Sequence, residues 1–124
     1  MFNIWVDDVR PAPKGYIWLT SVNETKSFIE TAETNWKAVW EKIRNKEAEV
    51  SAAHEFYINV IDLDHDAGDY AHDGGDYIKI LDWLEETGRS YPIRIHSMNP
   101  VGEANMRAII EKNNWREVHR VQHF

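Results

Sequence analysis

Acidic and imidazole side chains stand at the ends of three apolar runs in this sequence. They are Asp7 and Asp8, then Asp64, His65 and Asp66, and then His96 with Ser97. Carboxylates that converge at hydrogen-bonding separation repel one another unless a cation lies between them. Oxygen ligands favour magnesium, manganese or calcium over zinc, so the pattern predicts a divalent metal site. Its predicted ligands are Asp7, Asp8, Asp64 and Asp66.

The residues beside these carboxylates suggest phosphate chemistry. A metal ion polarises a phosphate ester and lowers the pKa of a bound water. Imidazole titrates near neutral pH, so His65 and His96 are candidates for moving protons to and from the reacting oxygens. Arg10 is a candidate for holding a phosphate through two N–H groups. Ser97 and Asn99 are candidates for donating hydrogen bonds to its non-bridging oxygens.

Each of these residues also has an ordinary structural explanation. Arg10 can pair with a neighbouring aspartate, and Ser97 can cap the turn that follows it. His96 can be a core histidine with its hydrogen bonds satisfied, sharing a strand face with Arg94. A charge run such as Asp69 to Asp76 is commonly a solvated surface. We expect that run to decorate a mobile lid over the site.

The elements that must position these residues alternate strands with helices. The runs FNIWV, YIWLT, FYINVIDL and YPIRIHS are short and apolar, which is typical of buried strands. Residues 21–49 place apolar side chains three, four and seven apart, which predicts one long amphipathic helix or two short ones. Helices are also predicted over 77–88 and 103–114, and a last edge strand over 116–124. This alternation predicts an α/β fold with a mostly parallel sheet, where function gathers at the carboxyl ends of the strands.

The composition narrows the class of protein. With 124 residues, 43% of them hydrophobic, the chain has the size of a single domain over residues 1–124. A net charge of −7 without clustered Lys and Arg argues against a DNA-coating protein, but it allows a small phosphorylated ligand whose charge a metal offsets. The absence of cysteine excludes disulfides and thiolate metal sites. No apolar run is long enough to span a bilayer and no signal peptide is evident, so we expect a cytoplasmic protein without a membrane partner.

Three separate stretches resemble the cyclic-phosphate processing receiver domains, a derived branch of the receiver fold of two-component signalling. The stretches are WVDDVRPAP, DLDHDAG and IRIHSMNPVGEANM, in the family's order. The resemblance implies a three-layer, receiver-like (flavodoxin-like) sandwich with a mostly parallel sheet. It also implies that the derived branch's members process cyclic-phosphate ends of nucleotides or RNA.

The resemblance also implies roles for individual residues. Asp7 and Asp8 match the acidic metal-binding pair, and Asp64 matches the phosphoacceptor position. Ser97 matches the hydroxyl residue after the fourth strand. The two histidines, at positions 65 and 96, belong to the derived branch.

The chain departs from an ordinary receiver in three ways. About ten residues separate the first two strands, which is too few for a helix, so the usual first helix is lacking. We therefore expect the second strand to be antiparallel, displaced or lost from the sheet. The last lysine, Lys112, falls in a predicted helix rather than after the last strand. Residues 34–55 read as an insertion without an assigned role.

Together these observations predict a metal-dependent phosphoesterase acting on cyclic-phosphate nucleotides or RNA ends. In this hypothesis Asp64, His65 and His96 are catalytic and the cofactor is Mg²⁺ or Mn²⁺. Two alternatives stay open. One is a signalling receiver phosphorylated on Asp64, and the other is a catalytically silent module that binds a metal and a nucleotide.

Overall fold

A four-stranded parallel sheet forms the centre of the structure, which is a computed structural model describing residues 1–120. The strands are β1 (Phe2–Val6), β2 (Ile17–Leu19), β3 (Ile58–Leu63) and β4 (Ile93–Ile95). Their order across the sheet is β2-β1-β3-β4, and each neighbouring pair is parallel. All four apolar runs therefore form strands as predicted. The order is that of the flavodoxin-like sheet, so the receiver-like α/β fold is confirmed.

Three helices connect and cover the strands. They are α1 (Val22–Arg44), α2 (Ile78–Glu86) and α3 (Pro100–Lys112). Ser21 caps the start of α1 by accepting a hydrogen bond from the backbone N–H of Glu24, and the helix then runs unbroken. The first periodic segment is thus one long helix rather than two. Its predicted insertion, residues 34–55, supplies the second half of α1 and part of a 3₁₀ turn over Val50–Phe56.

The three helices pack on one face of the sheet. Their buried residues, such as Ile29, Leu81 and Met106, join a single apolar cluster with Ile4 and Ile61 from the strands. The connections from β2 to β3, from β3 to β4 and from β4 to the bridge at Glu117 all move in the same direction across the sheet, and right-handed crossovers then put their helices on the same side. The helix that would cover the other face, between β1 and β2, is absent as expected.

The second strand corrects the expected topology, because β2 is parallel to β1 and lies within the sheet. Ile4 pairs with Ile17 and Val6 pairs with Leu19. The link between the strands has to return only two residues along the sheet, about 7 Å. Ten extended residues reach about 33 Å, so no helix is needed for this return. The minimum length expected for a parallel crossover assumes longer strands and does not apply to a three-residue strand.

The chain continues past α3 to the far side of β4. The Ile93 N–H donates to the carbonyl of Arg116, and the Val118 N–H donates to the carbonyl of Ile93, which forms an isolated parallel bridge at Glu117. Where the last edge strand was predicted, residues 116–120 form only this bridge beside β4. The final residues of the predicted strand, 121–124, lie outside the described part of the chain. Among residues 1–120, no helix combines the length and the apolar character needed to cross a membrane.

Candidate metal and phosphate site

Three carboxylates meet at the carboxyl edge of the sheet. One oxygen each of Asp7, Asp8 and Asp64 lies within 4.8 Å of the others. They meet because β1 and β3 are adjacent and parallel, and the Asp64 N–H donates to the carbonyl of Val6 at 2.9 Å. Three of the four predicted metal ligands thus come together. The fourth, Asp66, does not belong to this cluster, since its side chain is 61% exposed and contacts a histidine instead.

Asp7 is fully buried, and both of its carboxylate oxygens have nitrogen partners. Its Oδ1 accepts the backbone N–H groups of Val9 and Arg10, both at 2.9 Å. Its Oδ2 lies 2.9 Å from Nε2 of His96. Burial acts to raise the pKa of Asp7, but these hydrogen bonds outweigh it and the pKa is lowered. Asp7 is therefore a carboxylate held in one orientation.

Asp8 shows the electrostatic cost of the cluster. Burial raises the pKa of Asp8, and the negative charges of Asp7 and Asp64 raise it further. Its carboxylate lies directly against the backbone of Gly68, where a side chain would overlap it and where φ is +55°. The loop after β3 therefore closes onto Asp8 because glycine occupies this position. Three carboxylates that disfavour each other's charge form a site suited to a divalent cation.

His65 lies beside the carboxylates with one ring nitrogen available. Its Nδ1 is 2.8 Å from Oδ1 of Asp66, and its backbone N–H donates to Oδ1 of Asp64 at 2.8 Å. The ring packs against the backbone of Gly102 at the start of α3, where a Cβ would overlap it. Its side chain is only 16% exposed. Within residues 1–120, no hydrogen bond engages Nε2, so that nitrogen can exchange a proton with a ligand.

His96 occupies a different environment from the one expected of a proton-transfer residue. Its Nδ1 lies 2.6 Å from Oδ1 of Asp62, and its Nε2 lies 2.9 Å from Oδ2 of Asp7. The ring stacks on Trp5 with centroids 3.7 Å apart, and the side chain is 5% exposed. Because carboxylates engage both nitrogens, the ring has no free atom for a substrate. The alternative of a satisfied core histidine describes His96 better than a catalytic role.

Asp62 is the main residue of this region that sequence reasoning missed. Its carboxylate is fully buried and also accepts two hydrogen bonds from Nη1 of Arg94, at 3.1 and 3.2 Å. A charged residue inside an apolar strand was the available signal, since such residues are rarely buried without a partner. The match of Asp62 to Arg94 across β3 and β4 depends on register, which the sequence does not show.

The predicted phosphate-binding residues lie on the same edge, mostly in capping roles. Ser97 Oγ accepts the N–H of Asn99, and Asn99 Oδ1 accepts the N–H of Gly102, so both residues shape the start of α3. Arg10 donates from Nη1 to the carbonyl of His96 at 3.1 Å. None of the ion pairs found in residues 1–120 involves Arg10, so the pairing with an aspartate considered above is not seen.

The acidic loop after β3 is anchored to its surroundings. Asp73 accepts hydrogen bonds from Oγ of Ser21 and Nδ2 of Asn23, at the start of α1. Asp76 accepts the backbone N–H of Ala67 at 3.0 Å. Asp73 thus ties the loop to the start of α1 and Asp76 closes it on Ala67, while the expected mobile lid stays a prediction.

Comparison with known proteins agrees with the geometry. A family model described as the cyclic-phosphate processing receiver domain matches residues 2–112. Curated proteins and solved structures gave no significant match. The matched span contains all four strands, all three helices and the carboxylate cluster. On this evidence the chain belongs to the cyclic-phosphate processing receiver domain family.

Proposed function

We propose that the protein is a metal-dependent phosphoesterase that opens cyclic phosphates on nucleotides or RNA ends. The observation that carries this proposal is the convergence of three carboxylates next to a histidine with a free ring nitrogen. The carboxylates are those of Asp7, Asp8 and Asp64, and the histidine is His65. The family's description adds the class of substrate.

The donor set fits a hard divalent cation. It contains only carboxylate oxygens, and the pKa of Asp8 is raised by burial and by repulsion from Asp7 and Asp64, a repulsion that a cation relieves. Mg²⁺ or Mn²⁺ held by Asp7, Asp8 and Asp64 supplies Lewis acidity toward a phosphate oxygen and lowers the pKa of a coordinated water. With a net charge of −7, the positive charge of such a metal would favour the binding of a phosphorylated ligand.

The chain's own residues then bind the phosphate and move protons. Opening the ring forms a new P–O bond to the oxygen of water, which gives up a proton, and breaks one P–O bond of the ring, whose oxygen takes up a proton. His65 Nε2 is the group placed to accept or deliver that proton, while Asp66 holds the ring through Nδ1. Ser97 Oγ accepts a backbone N–H through a lone pair. Its O–H group can therefore donate a hydrogen bond to a non-bridging phosphate oxygen. Arg10, which is exposed at the same edge, donates hydrogen bonds to the charged phosphate oxygens.

A signalling role with phosphorylation on Asp64 is less well supported. Such receivers hold the phosphoryl group with a lysine after the last strand. Here the last lysine, Lys112, ends α3 and pairs with Glu85 at 3.2 Å. A catalytically silent module that binds metal and nucleotide uses the same carboxylates, so turnover is the measurement that separates it from an enzyme.

The test measures phosphate-ester turnover with Mg²⁺ and then Mn²⁺. The panel holds 2′,3′-cyclic nucleotides, 3′,5′-cyclic nucleotides and RNA with a cyclic-phosphate end. We predict turnover of at least one member by the parent protein and none above background by Asp64→Asn. The variant should still fold, since Asp64 is only partly buried and its side chain accepts one backbone hydrogen bond.

Asp82→Asn is the matched control, because it removes the same charge from an exposed position on α2. Equal turnover by Asp64→Asn and Asp82→Asn would contradict the proposed site. Metal-dependent binding without conversion of any panel member would favour the silent module, and tight binding of beryllium fluoride would favour the receiver.

A further inference from the structure

We propose that Asp62 is a positioning residue of the metal site, acting through His96 on the metal-facing carboxylate of Asp7. This inference rests on the metal site of the proposed function. It extends that site to a residue inside the sheet that contacts neither the metal cluster nor the solvent.

The first support is an unbroken line of short contacts from the sheet interior to the site. Arg94 contacts both oxygens of Asp62, Asp62 Oδ1 lies 2.6 Å from His96 Nδ1, and His96 Nε2 lies 2.9 Å from Asp7 Oδ2. Trp5 stacks on the imidazole within 5° of parallel and fixes the plane of the ring. The ring thus has one orientation. Asp62 holds it at Nδ1, and Nε2 in turn contacts the carboxylate of Asp7.

The second support is the effect on the hydrogen-bonding capacity of Asp7. A carboxylate has about four lone-pair sites. Oδ1 of Asp7 uses both of its sites for the N–H groups of Val9 and Arg10, and Oδ2 uses one for His96. These three contacts leave about one site, on Oδ2, for a cation or for the neighbouring carboxyl group of Asp8. Loss of the histidine contact would leave Oδ2 free to turn and to ligate in more than one way.

The third support is that Asp62 is a costly residue at this place. A carboxylate with no exposed surface is strongly destabilising unless it is paired and hydrogen-bonded. Replacement of a buried ion pair by apolar residues is often neutral or stabilising. Stability alone therefore does not account for the charge, whereas orienting a ligand through a histidine is a known function of outer carboxylates at metal sites.

A matched control lies on the same face of the sheet. Asn3 is 3% exposed and accepts a hydrogen bond from Nδ2 of Asn59 at 2.9 Å. Asn3 is a polar residue nearly as buried as Asp62, but within residues 1–120 its side chain has no hydrogen bond to the histidine or to the carboxylate cluster. Asn3→Ala should therefore lower the melting temperature without changing metal affinity.

The experiment measures metal affinity directly, without substrate. Mn²⁺ binding is followed by the EPR signal of the free ion and Mg²⁺ binding by calorimetry, for the parent, Asp62→Asn, His96→Gln, the double variant and Asn3→Ala. We expect Asp62→Asn and His96→Gln each to weaken binding by about 10- to 100-fold, the range typical of outer-shell substitutions. The double variant should bind no more weakly than the weaker single variant, because both substitutions break one path.

A loss of tenfold or more in Asp62→Asn, with unchanged affinity in Asn3→Ala, supports the inference. A smaller loss overturns it, and so does an additive double variant or an equal loss in Asn3→Ala. If Asp62→Asn does not fold, His96→Gln decides by the same threshold, because it leaves the pair of Asp62 and Arg94 in place. Failure of the parent itself to bind either ion would instead show that the proposed metal site is wrong, and the inference would fall with it.

Discussion

Asp8 offers the sharpest test of the carboxylate cluster, because its charge should destabilise the metal-free protein. Its pKa is raised by burial and by the charges of Asp7 and Asp64. A carboxyl group with a raised pKa is less stable as a carboxylate in the folded protein than in the unfolded chain. Asp8→Asn keeps the shape of the side chain and removes the charge. We therefore expect this variant to melt at a higher temperature than the parent in chelator.

The expected size follows from the distances. Two unit charges 4.8 Å apart repel by ~0.9 kcal/mol in water and by ~3.5 kcal/mol at an effective dielectric constant of 20. Asp8 is partly exposed, and donors already offset the charge of Asp7, so the lower figure is the better guide. A gain of about 1 kcal/mol raises the melting temperature of a chain of this length by about 4 °C.

Calorimetry in EDTA measures the effect of the Asp8 charge without metal, and calorimetry in saturating Mg²⁺ measures its effect with metal bound. In EDTA, Asp8→Asn should be the more stable protein. With metal at 100 times its dissociation constant, the parent gains about 2.7 kcal/mol, while the variant has lost one ligand and gains less. The order of the two melting temperatures should therefore reverse.

Asp82→Asn again provides the control for net charge, and its stability should change by no more than about 0.5 kcal/mol. If Asp8→Asn melts below the parent in EDTA, the cluster is not electrostatically strained. The same conclusion follows if the melting temperature in EDTA rises no more for Asp8→Asn than for Asp82→Asn.

Two further substitutions test the surroundings of the site and the opposite end of the fold. A methyl group at Gly102→Ala would overlap the ring of His65 and force that ring to move, so turnover should fall tenfold or more while metal affinity changes little; unchanged turnover would contradict the role given to that ring. Burial raises the pKa of Glu33, but hydrogen bonds from Arg89 and Tyr91 outweigh it and hold the pKa below its ordinary 4.5. The contribution of Glu33 to the free energy of unfolding is thus present above pH 4.5. It is lost as the pH falls through the lower pKa of Glu33 in the folded protein. Urea unfolding should show Glu33→Gln less stable than the parent by about 1–2 kcal/mol at pH 7 and by much less at pH 3, and an equal difference at both would refute this.

The positions of the strands and helices were predictable because hydrophobic periodicity reports which residues face a core. The segment over residues 21–49 shows the limit of that signal. Its spacing could not distinguish one helix from two, and only the first half of α1 packs on the sheet. The convergence of Asp7, Asp8 and Asp64 was also predictable, since carboxyl ends of parallel strands share one edge.

The role of His96 was not predictable, because it depends on partners that only strand register reveals. Asp62 reaches the histidine across β3 and β4, and alternation along one strand says nothing about what stands opposite. The parallel pairing of β2 was missed for another reason. The usual minimum length of a parallel crossover holds for longer strands, whereas β2 has only three residues and needs a shorter link.

The central pairing of β1 with β3 has a consequence for how the protein folds. The two strands are far apart in the chain, with Asn3 contacting Asn59 across 56 positions. No short hairpin can start this pairing, so a large loop must close before β1 finds its neighbour, and such topologies fold slowly. Two of the three carboxylates directly follow β1, and the third directly follows β3. The repulsion between them therefore first appears in the step that joins the two strands, and divalent ions present during refolding should ease that step.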